Sequence, residues 1–289
     1  MSDRRTEALP GHVRVYGNDH SPWVQTVLLG LNELKIEHTL VTVPPLSVFA
    51  RSGILMPAAR IDDGPWLLDS ERILVELGFS EVDAESRRKL LALFLSGARQ
   101  RTRDPWAFWS RFAQARDEHP STARRLWNHF WRTFSVFYFF SLISVLRRSQ
   151  PEPTPEQLVE EFAYWEERLA PGVEFLGGRA PDTVDLQLFG LVQMFASIPG
   201  ASLATLEQTP GLQRLRNWIS RMQSRFADYD HLYSAPCFEP RLPEIDRANP
   251  LERTFYWSGA ALMWLGLPIT LATTFYFVRR VRKKGLQRG

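Results

Sequence analysis

Apolar and polar residues alternate, and then recur at helical spacing, over the first 80 residues of the chain. Residues 12–16 alternate as a short strand, and an apolar run with a period near 3.6 follows the break at residues 17–20. This pattern predicts a strand, a turn and a helix. Further strands are predicted at residues 40–43, 58–61 and 66–68. A second helix is predicted to begin near Asp69, so the order is β-α-β, a connection, then β-β-α.

The remaining chain is predominantly helical in its apolar pattern and then changes character twice. Helical spacing runs from residue 87 to residue 230, interrupted by Pro and Gly pairs. A Pro-rich linker is predicted at residues 231–254. The predicted domains are therefore an α/β domain at residues 12–80 and an all-α domain at residues 87–230.

Residues 255–278 contain 24 residues without a charge and predict one transmembrane helix. At about 1.5 Å per residue they would extend roughly 36 Å, more than the roughly 30 Å of a bilayer core. Aromatic residues stand near both ends, and the basic tail at residues 279–289 follows, as is typical of membrane boundaries. A buried core helix is the alternative interpretation.

Charge and composition exclude several classes of function. All 32 acidic residues and 29 of the 35 basic residues lie in residues 1–278, which gives that part a net charge of −3. No nucleic-acid partner is predicted, because such proteins carry a basic surface. Cys237 is the single cysteine, and the six histidines lack the spacing of metal ligands, so no metal site is predicted.

Three short segments within the α/β region resemble glutathione transferases. They are Ser21-Pro22-Trp23-Val24 at the start of the first helix, Met56-Pro57 before the third strand, and Asp69-Ser70 after the fourth strand. In order, they are similar to the thioredoxin-like amino-terminal domain of that family. The resemblance implies a thioredoxin-like domain followed by an all-α domain, with glutathione as co-substrate and no bound cofactor.

The resemblance also implies roles for the residues near the first helix. Ser21 would donate a hydrogen bond to the sulfur of glutathione, and Tyr16 is an alternative for that role. The start of a helix favours an anion, because its unpaired N–H groups and the helix dipole both point there. The alternative for Ser21 is that it only caps the helix, and the alternative for Tyr16 is packing in the core.

The other implied contacts to glutathione come from two later segments. Met56 would bind the cysteinyl part through its backbone, presented by a cis-Pro57. Asp69 would accept a hydrogen bond from the γ-glutamyl ammonium, and Ser70 would bind the adjacent carboxylate. A role in helix capping is the alternative for Asp69 and Ser70.

Two further features of the helical region complete the resemblance. Asp182 and Asp185 resemble the buried capping box of the family, with an acceptor at the N-cap and a second one three residues later. Trp106, Trp109 and Phe112 are candidates for an apolar substrate pocket, although aromatic residues at helical spacing more often pack in a core.

The sequence therefore predicts a membrane-anchored protein that conjugates the glutathione thiolate to an apolar electrophile. One alternative is a non-catalytic, membrane-anchored interaction or ligand-binding module of the same fold. Another is a glutathione-dependent isomerase or dehalogenase. A homodimer is expected, as is usual in the family. The head is expected in the cytoplasm, on the inner membrane of a bacterium or the mitochondrial outer membrane of a eukaryote, because the chain begins without an apolar leader.

Overall fold

The structure of the chain is a computed structural model that divides into two compact units. It describes residues 10–100, 120–197, 200–229, 232–233, 248–269, 271–273, 275–276 and 279. Unit 1 comprises Met1–Leu40, Met56–Thr102 and Gln150–Pro243. Unit 2 comprises Val41–Leu55, Arg103–Ser149 and Glu244–Gly289.

Four strands form one sheet near the amino terminus. They are β1 (Val13–Tyr16), β2 (His38–Val41), β3 (Ala58–Ile61) and β4 (Trp66–Leu68). The strand order is β2-β1-β3-β4, and β3 is antiparallel to both of its neighbours, with Val13 opposite Ile61 and Ala58 opposite Leu68. Because side chains alternate across a strand, Val13 and Val15 point to the same face and are fully buried.

Most of the rest of the described chain is helical. Its α-helices are α1 (Pro22–Glu33), α2 (Leu46–Ser52), α3 (Ser70–Glu76), α4 (Ala84–Arg99), α5 (Thr122–Ser149), α6 (Pro155–Arg168), α7 (Thr183–Ser197), α8 (Ala201–Gln208), α9 (Gln213–Arg225) and α10 (Pro250–Leu265). A small sheet with this order, followed by helices, fits a thioredoxin-like domain and a helical domain. The coarse fold prediction is confirmed, and α2 occupies the connection that was predicted without structure.

Helix α1 is fixed in unit 1 by close packing against α7. Gly190 makes this approach possible, since a Cβ at that position would lie 2.5 Å from the carbonyl oxygen of Pro22. Thr26, one turn further along α1, is fully buried and donates a hydrogen bond to that same carbonyl oxygen at 2.8 Å. The first turn of α1 is therefore held on the surface of a second helix, which limits how far it can move.

In unit 2, α10 packs against α5 through polar as well as apolar contacts. The Arg125 Nε lies 2.8 Å from Oε1 of Glu252, whose side chain is 1% exposed. The Thr133 hydroxyl donates to the carbonyl oxygen of Tyr256 at 2.8 Å. A Cβ at Gly259 would lie 3.0 Å from the Phe130 carbonyl oxygen, so the two backbones approach closely here.

The uninterrupted helix predicted for residues 255–278 does not form. Helix α10 begins at Pro250, inside the predicted linker, and ends at Leu265. Gly266 follows as the C-cap, and Pro268 lies two residues further, where a proline cannot continue the preceding helix. The apolar segment at residues 255–278 therefore contains two residues, Gly266 and Pro268, that end a helix.

No helix in the described part of the chain is by itself long and apolar enough to cross a bilayer. Two pairs of consecutive helices reach the required length and composition only jointly, and both are sharply bent. In one of them Pro250–Leu265 continues into Leu267–Thr273 at an angle of 79°. The prediction of a single transmembrane helix is accordingly not supported.

Candidate functional site

Ser21 stands at the N-cap of α1 but its side chain does not cap the helix. Its backbone is extended (φ −69°, ψ 127°), and its carbonyl oxygen accepts from the backbone N–H of Gln25 at 2.9 Å. The side chain makes no capping hydrogen bond. Its hydroxyl is buried without a partner among the described residues, and Ser21 is only 4% exposed. Buried hydroxyls are almost always hydrogen-bonded, so this one is an exception that capping does not explain.

The turn before Ser21 has a fixed shape. A side chain at Gly17 would collide with Val24, because its Cβ would lie 2.4 Å from the Val24 Cγ2. The Asn18 carbonyl oxygen accepts from the Ser21 N–H at 2.9 Å, and the Asn18 Oδ1 accepts from the His20 N–H at 3.2 Å. The Ser21 hydroxyl is thereby held at the start of a 12-residue helix.

Two hydrogen bonds link the turn before Ser21 to Met56, and Pro57 to Asp69. The Asn18 N–H donates to the Met56 sulfur at 3.3 Å. The Asp69 N–H donates to the carbonyl oxygen of Pro57 at 3.4 Å, and the peptide bond between Met56 and Pro57 is cis. Residues from the start of α1, the start of β3 and the start of α3 thus meet within unit 1.

Asp69 caps α3 from an unusual backbone conformation. Its φ is +82°, a region that residues other than glycine seldom adopt, and its Oδ1 accepts from the N–H groups of Glu71 and Arg72 at 3.0 and 3.3 Å. Asp69 is exposed by surface area, yet desolvation by the surrounding protein raises the pKa of its carboxyl above the ordinary value, and the nearby Glu71 charge acts in the same direction. Ser70, which follows it, is buried.

Tyr16 occupies a different position from Ser21. It ends β1 opposite Ala58, is fully buried, and already takes part in an interaction within the chain. These features fit a core residue. The geometry therefore favours Ser21 over Tyr16 as the residue whose hydroxyl could donate a hydrogen bond to a ligand.

Sequence reasoning missed a polar contact that links the turn to the end of α7. The Nδ1 of His20 lies 2.9 Å from the Ser197 hydroxyl oxygen, and that hydroxyl donates its one proton to the Met194 carbonyl oxygen at 2.7 Å. His20 Nδ1 then donates to the Ser197 hydroxyl oxygen, because the proton of that hydroxyl is already directed at Met194. Tyr233 approaches the same imidazole edge-on, with ring centroids 6.3 Å apart. No local pattern signals a contact across 177 residues.

Asp185 has a structural role at the start of α7. Fully buried, it accepts hydrogen bonds from the N–H groups of Leu176, Gly177 and Asp182, and from the indole N–H of Trp218 at 2.8 Å. Burial raises the pKa of its carboxyl, and the hydrogen bonds from these four donors offset part of that rise. The Asp182 carboxyl instead accepts from the N–H of Thr183 and of Ser80. Only one half of a reciprocal capping box is therefore present.

The remaining predicted residues are the candidates for the apolar pocket. Trp106, Trp109 and Phe112 lie outside the described residues. In the described ranges, no group of three or more His, Cys, Asp or Glu side chains is arranged to hold a metal ion.

Comparison with known proteins gives similarity only at the level of solved structures. No family model and no curated protein matches the chain. A theta class glutathione S-transferase of Xanthomonas axonopodis pv. citri, solved with glutathione bound, is 17% identical with a TM-score of 0.47, over 78% of this chain and 99% of that one. Glutathione transferase F2 of Populus trichocarpa is 16% identical with a TM-score of 0.44, over 75% of this chain and 97% of that one.

A third solved structure, a glutathione transferase of Bombyx mori, is 11% identical with a TM-score of 0.43, over 88% of this chain and 99% of that one. At such low identities and TM-scores these likenesses assign no ligand and no residue role to this chain. The roles of its residues have to follow from its own contacts.

Proposed function

We propose that the chain binds glutathione in unit 1 and conjugates its thiolate to an apolar electrophile. The observation that carries this proposal is the Ser21 hydroxyl, which is buried at the start of α1 and has no hydrogen-bond partner among the described residues. Leaving such a group unpaired costs about 1–3 kcal/mol. A bound sulfur at this position would recover that energy by accepting a hydrogen bond from the hydroxyl.

The chemistry requires the thiol to ionise near neutral pH. A free thiol has a pKa of about 8.5, and lowering it by about two units requires roughly 2.7 kcal/mol. One hydrogen bond to a charged acceptor, together with the positive end of a helix dipole, supplies energy of that order. The thiol proton leaves to solvent, the thiolate sulfur bonds to the electrophilic carbon, and the leaving group departs with its electron pair.

The other two segments would hold the peptide. The Met56 sulfur accepts a hydrogen bond from the Asn18 N–H, and the Met56 backbone would bind the cysteinyl part of glutathione. The Asp69 carboxyl would accept from the γ-glutamyl ammonium, and the buried Ser70 would contribute to binding the adjacent carboxylate. Serine cannot form a mixed disulfide with glutathione, so Ser21 favours conjugation over thiol transfer.

The proposal includes a lipid bilayer and a second copy of the chain as partners. Support for the bilayer comes from the exposed apolar side chains between residues 251 and 276 and from the basic residues that follow them. The head would lie in the cytoplasm, where glutathione is present, on the inner membrane of a bacterium or the mitochondrial outer membrane of a eukaryote. An apolar co-substrate would then be drawn from the lipid, and a homodimer would match the usual state of glutathione transferases.

Calorimetry on the full chain tests the glutathione site. The wild type should bind glutathione, and Asp69→Ala should lose most of that binding because the ammonium loses its carboxylate. Ser21→Ala should keep most of the binding but lose conjugation of a model apolar electrophile. A folded wild-type protein that binds no glutathione would favour the non-catalytic module. Binding of glutathione with turnover of a halide or an isomerisable substrate, but without a conjugated product, would favour the dehalogenase or isomerase.

A further inference from the structure

Exposed apolar side chains are concentrated in one part of the chain. Of the eleven large hydrophobic side chains exposed among the described residues, eight lie between Leu251 and Tyr276. Unit 1 contributes only Leu91 to that set, although it contains more of the described chain. Single exposed leucines are ordinary, whereas a contiguous group usually marks a surface that another molecule covers.

Five exposed residues of α10, four of them apolar, form a regular stripe. Leu251, Phe255, Ser258, Leu262 and Leu265 follow one another at alternating spacings of four and three, which places them on one face of a helix. Leu262 is 54% exposed and Leu265 is 84% exposed. Beyond the bend at Gly266 the apolar exposure continues, since Ile269 is 74% exposed and Tyr276 is 60% exposed.

A different face of α10 is held on α5 by contacts that resist removal. Glu252, Tyr256, Gly259, Ala260 and Met263 are buried there. Glu252 is paired with Arg125 at 2.8 Å and lies 3.6 Å from the buried His129. A helix that left α5 to cross a bilayer would break this pairing, and breaking a buried ion pair is strongly unfavourable.

A surface of α10 that adjoins the stripe at Ser258 combines a cation with hydroxyl and aromatic groups. An open depression of about 560 Å³ is lined by Pro250, Arg253, Thr254, Trp257, Ser258 and Ala261. Arg253 is exposed. A guanidinium beside hydroxyls and an indole suits the boundary between an anionic headgroup and its acyl chains.

The charge that follows the apolar stripe identifies the partner. Residues 279–289 contain six basic residues and no acidic residue, whereas residues 1–278 carry a net charge of −3. Basic residues next to an apolar helix bind anionic lipid, and their effect decreases within a Debye length of the surface. A second copy of the chain would bring its own basic tail to the same place, which disfavours self-association through this stripe.

We propose that α10 docks in the plane of an anionic lipid surface, with its apolar stripe among the acyl chains and Arg253 at the headgroups, while it remains packed on α5. This inference rests on the membrane part of the proposed function and names the lipid class and the mode of contact. It makes no use of the glutathione site, so either can fail alone.

Flotation of the purified full chain with lipid vesicles tests the docking. One set of vesicles contains phosphatidylcholine alone, and the other contains phosphatidylcholine with phosphatidylglycerol. The chain should bind the anionic vesicles more tightly by at least about tenfold, and high salt should reduce that difference. Alkaline carbonate should release the bound chain, because a helix lying in the interface is not trapped in the bilayer.

Matched variants separate the stripe from general surface effects. The double variant Leu262→Glu with Leu265→Glu should lose binding by more than about tenfold, since two charges would enter the acyl region. Leu91→Glu is the control, because Leu91 is 51% exposed, close to the value for Leu262, and lies in unit 1. Arg253→Gln should lower the preference for anionic vesicles.

Three results would overturn the docking model. If the chain stayed on the vesicles after alkaline carbonate, a segment of it would cross the bilayer. The in-plane mode would then be wrong, although the bilayer would remain a partner in the proposed function. Equal loss in Leu91→Glu would show that the stripe has no special role. Absence of vesicle binding by a folded chain that forms dimers in light scattering, with Leu262→Glu and Leu265→Glu abolishing those dimers, would assign the stripe to a second copy.

Discussion

Ser21 and Thr154 occupy equivalent places at two helix starts but use their hydroxyls differently. Each is an N-cap followed by proline at the first helical position. The Thr154 hydroxyl accepts from the N–H of Gln157 at 3.3 Å in a reciprocal capping box, whereas the Ser21 hydroxyl caps nothing and has no partner among the described residues. The same local sequence signal therefore corresponds to a stabilising cap in α6 and to an unused donor in α1.

This difference predicts opposite effects on stability. Thr154→Ala should lower the free energy of unfolding by about 1 kcal/mol, the usual cost of losing a capping hydrogen bond. Ser21→Ala should leave it unchanged or raise it by up to about 1 kcal/mol, because an unpaired buried hydroxyl is removed. Urea unfolding of the two variants beside the wild type measures both. A loss in Ser21→Ala as large as in Thr154→Ala would mean that Ser21 serves the helix alone.

The raised pKa of Asp69 predicts how glutathione binding depends on pH. The carboxyl must be ionised to accept from an ammonium, and desolvation makes it retain its proton to a higher pH than usual. Affinity should therefore fall as the pH is lowered through this raised pKa, while an ordinary aspartate would still be ionised. Calorimetric titrations across the acidic range measure the midpoint.

Asp69→Asn is the control for that pH dependence, because it keeps an acceptor at the cap and cannot ionise. Its affinity should be low and nearly constant over the range in which the wild type changes. Ionisation of Asp69 favours glutathione binding but lowers the stability of the fold. A raised carboxyl pKa means that the ionised form costs stability above that pKa, so Asp69→Asn should gain stability at neutral pH and lose the gain on acidification.

Removing the Asp185 carboxyl should destabilise unit 1 severely. Asp185→Ala would leave three backbone N–H groups and the Trp218 indole N–H without their acceptor in the core. A loss of at least about 3 kcal/mol is expected from the cost of several unpaired buried donors. Trp218→Phe removes one donor and keeps most of the ring, so its loss should be clearly smaller. Equal losses in thermal or urea unfolding would contradict this assignment.

The pairing of Glu252 with Arg125 should hold α10 on α5. Glu252→Gln keeps a group suited to the capping box and removes the charge, and the expected cost is about 2 kcal/mol because Arg125 is still 17% exposed. Amide hydrogen exchange in α10 should become faster. Glu85→Gln is the control, since its pair with Arg88 is 3.8 Å long and exposed on both sides, and such pairs contribute less than about 1 kcal/mol. Unchanged amide exchange in α10 of Glu252→Gln would show that the ion pair does not hold α10 on α5.

Short-range patterns predicted most of the sheet and its helices. The strands at residues 58–61 and 66–68 coincide with β3 and β4, and the run after Ser21 became α1. Alternation and helical period are local properties, so they can be read from neighbouring residues in the sequence. The end of α10 was predicted too late because hydropathy outweighed Gly266 and Pro268, two residues that stop a helix whatever its polarity.

The candidate site was only partly open to prediction. Ser21, Met56 and Asp69 were predicted through their resemblance to a family, and their roles stay predictions. The structure shows hydrogen bonds from Asn18 to Met56 and from Asp69 to Pro57. The contact between His20 and Ser197 depends on packing of α7 against the start of α1, which no neighbouring residue encodes. The absence of a capping hydrogen bond from Ser21 could not be predicted either. Ser-Pro at a helix start predicts such a bond, and the direction of the hydroxyl is set by the folded structure.

Ultraviolet titration of the bound glutathione thiolate tests the central claim most directly. In the wild type, the thiol of bound glutathione should ionise about two pH units below the free thiol, and Ser21→Ala should return it towards the free value while Thr154→Ala should match the wild type. Bound glutathione that ionises at the same pH as free glutathione in the wild type would contradict the account. So would a thiolate that persists unchanged in Ser21→Ala.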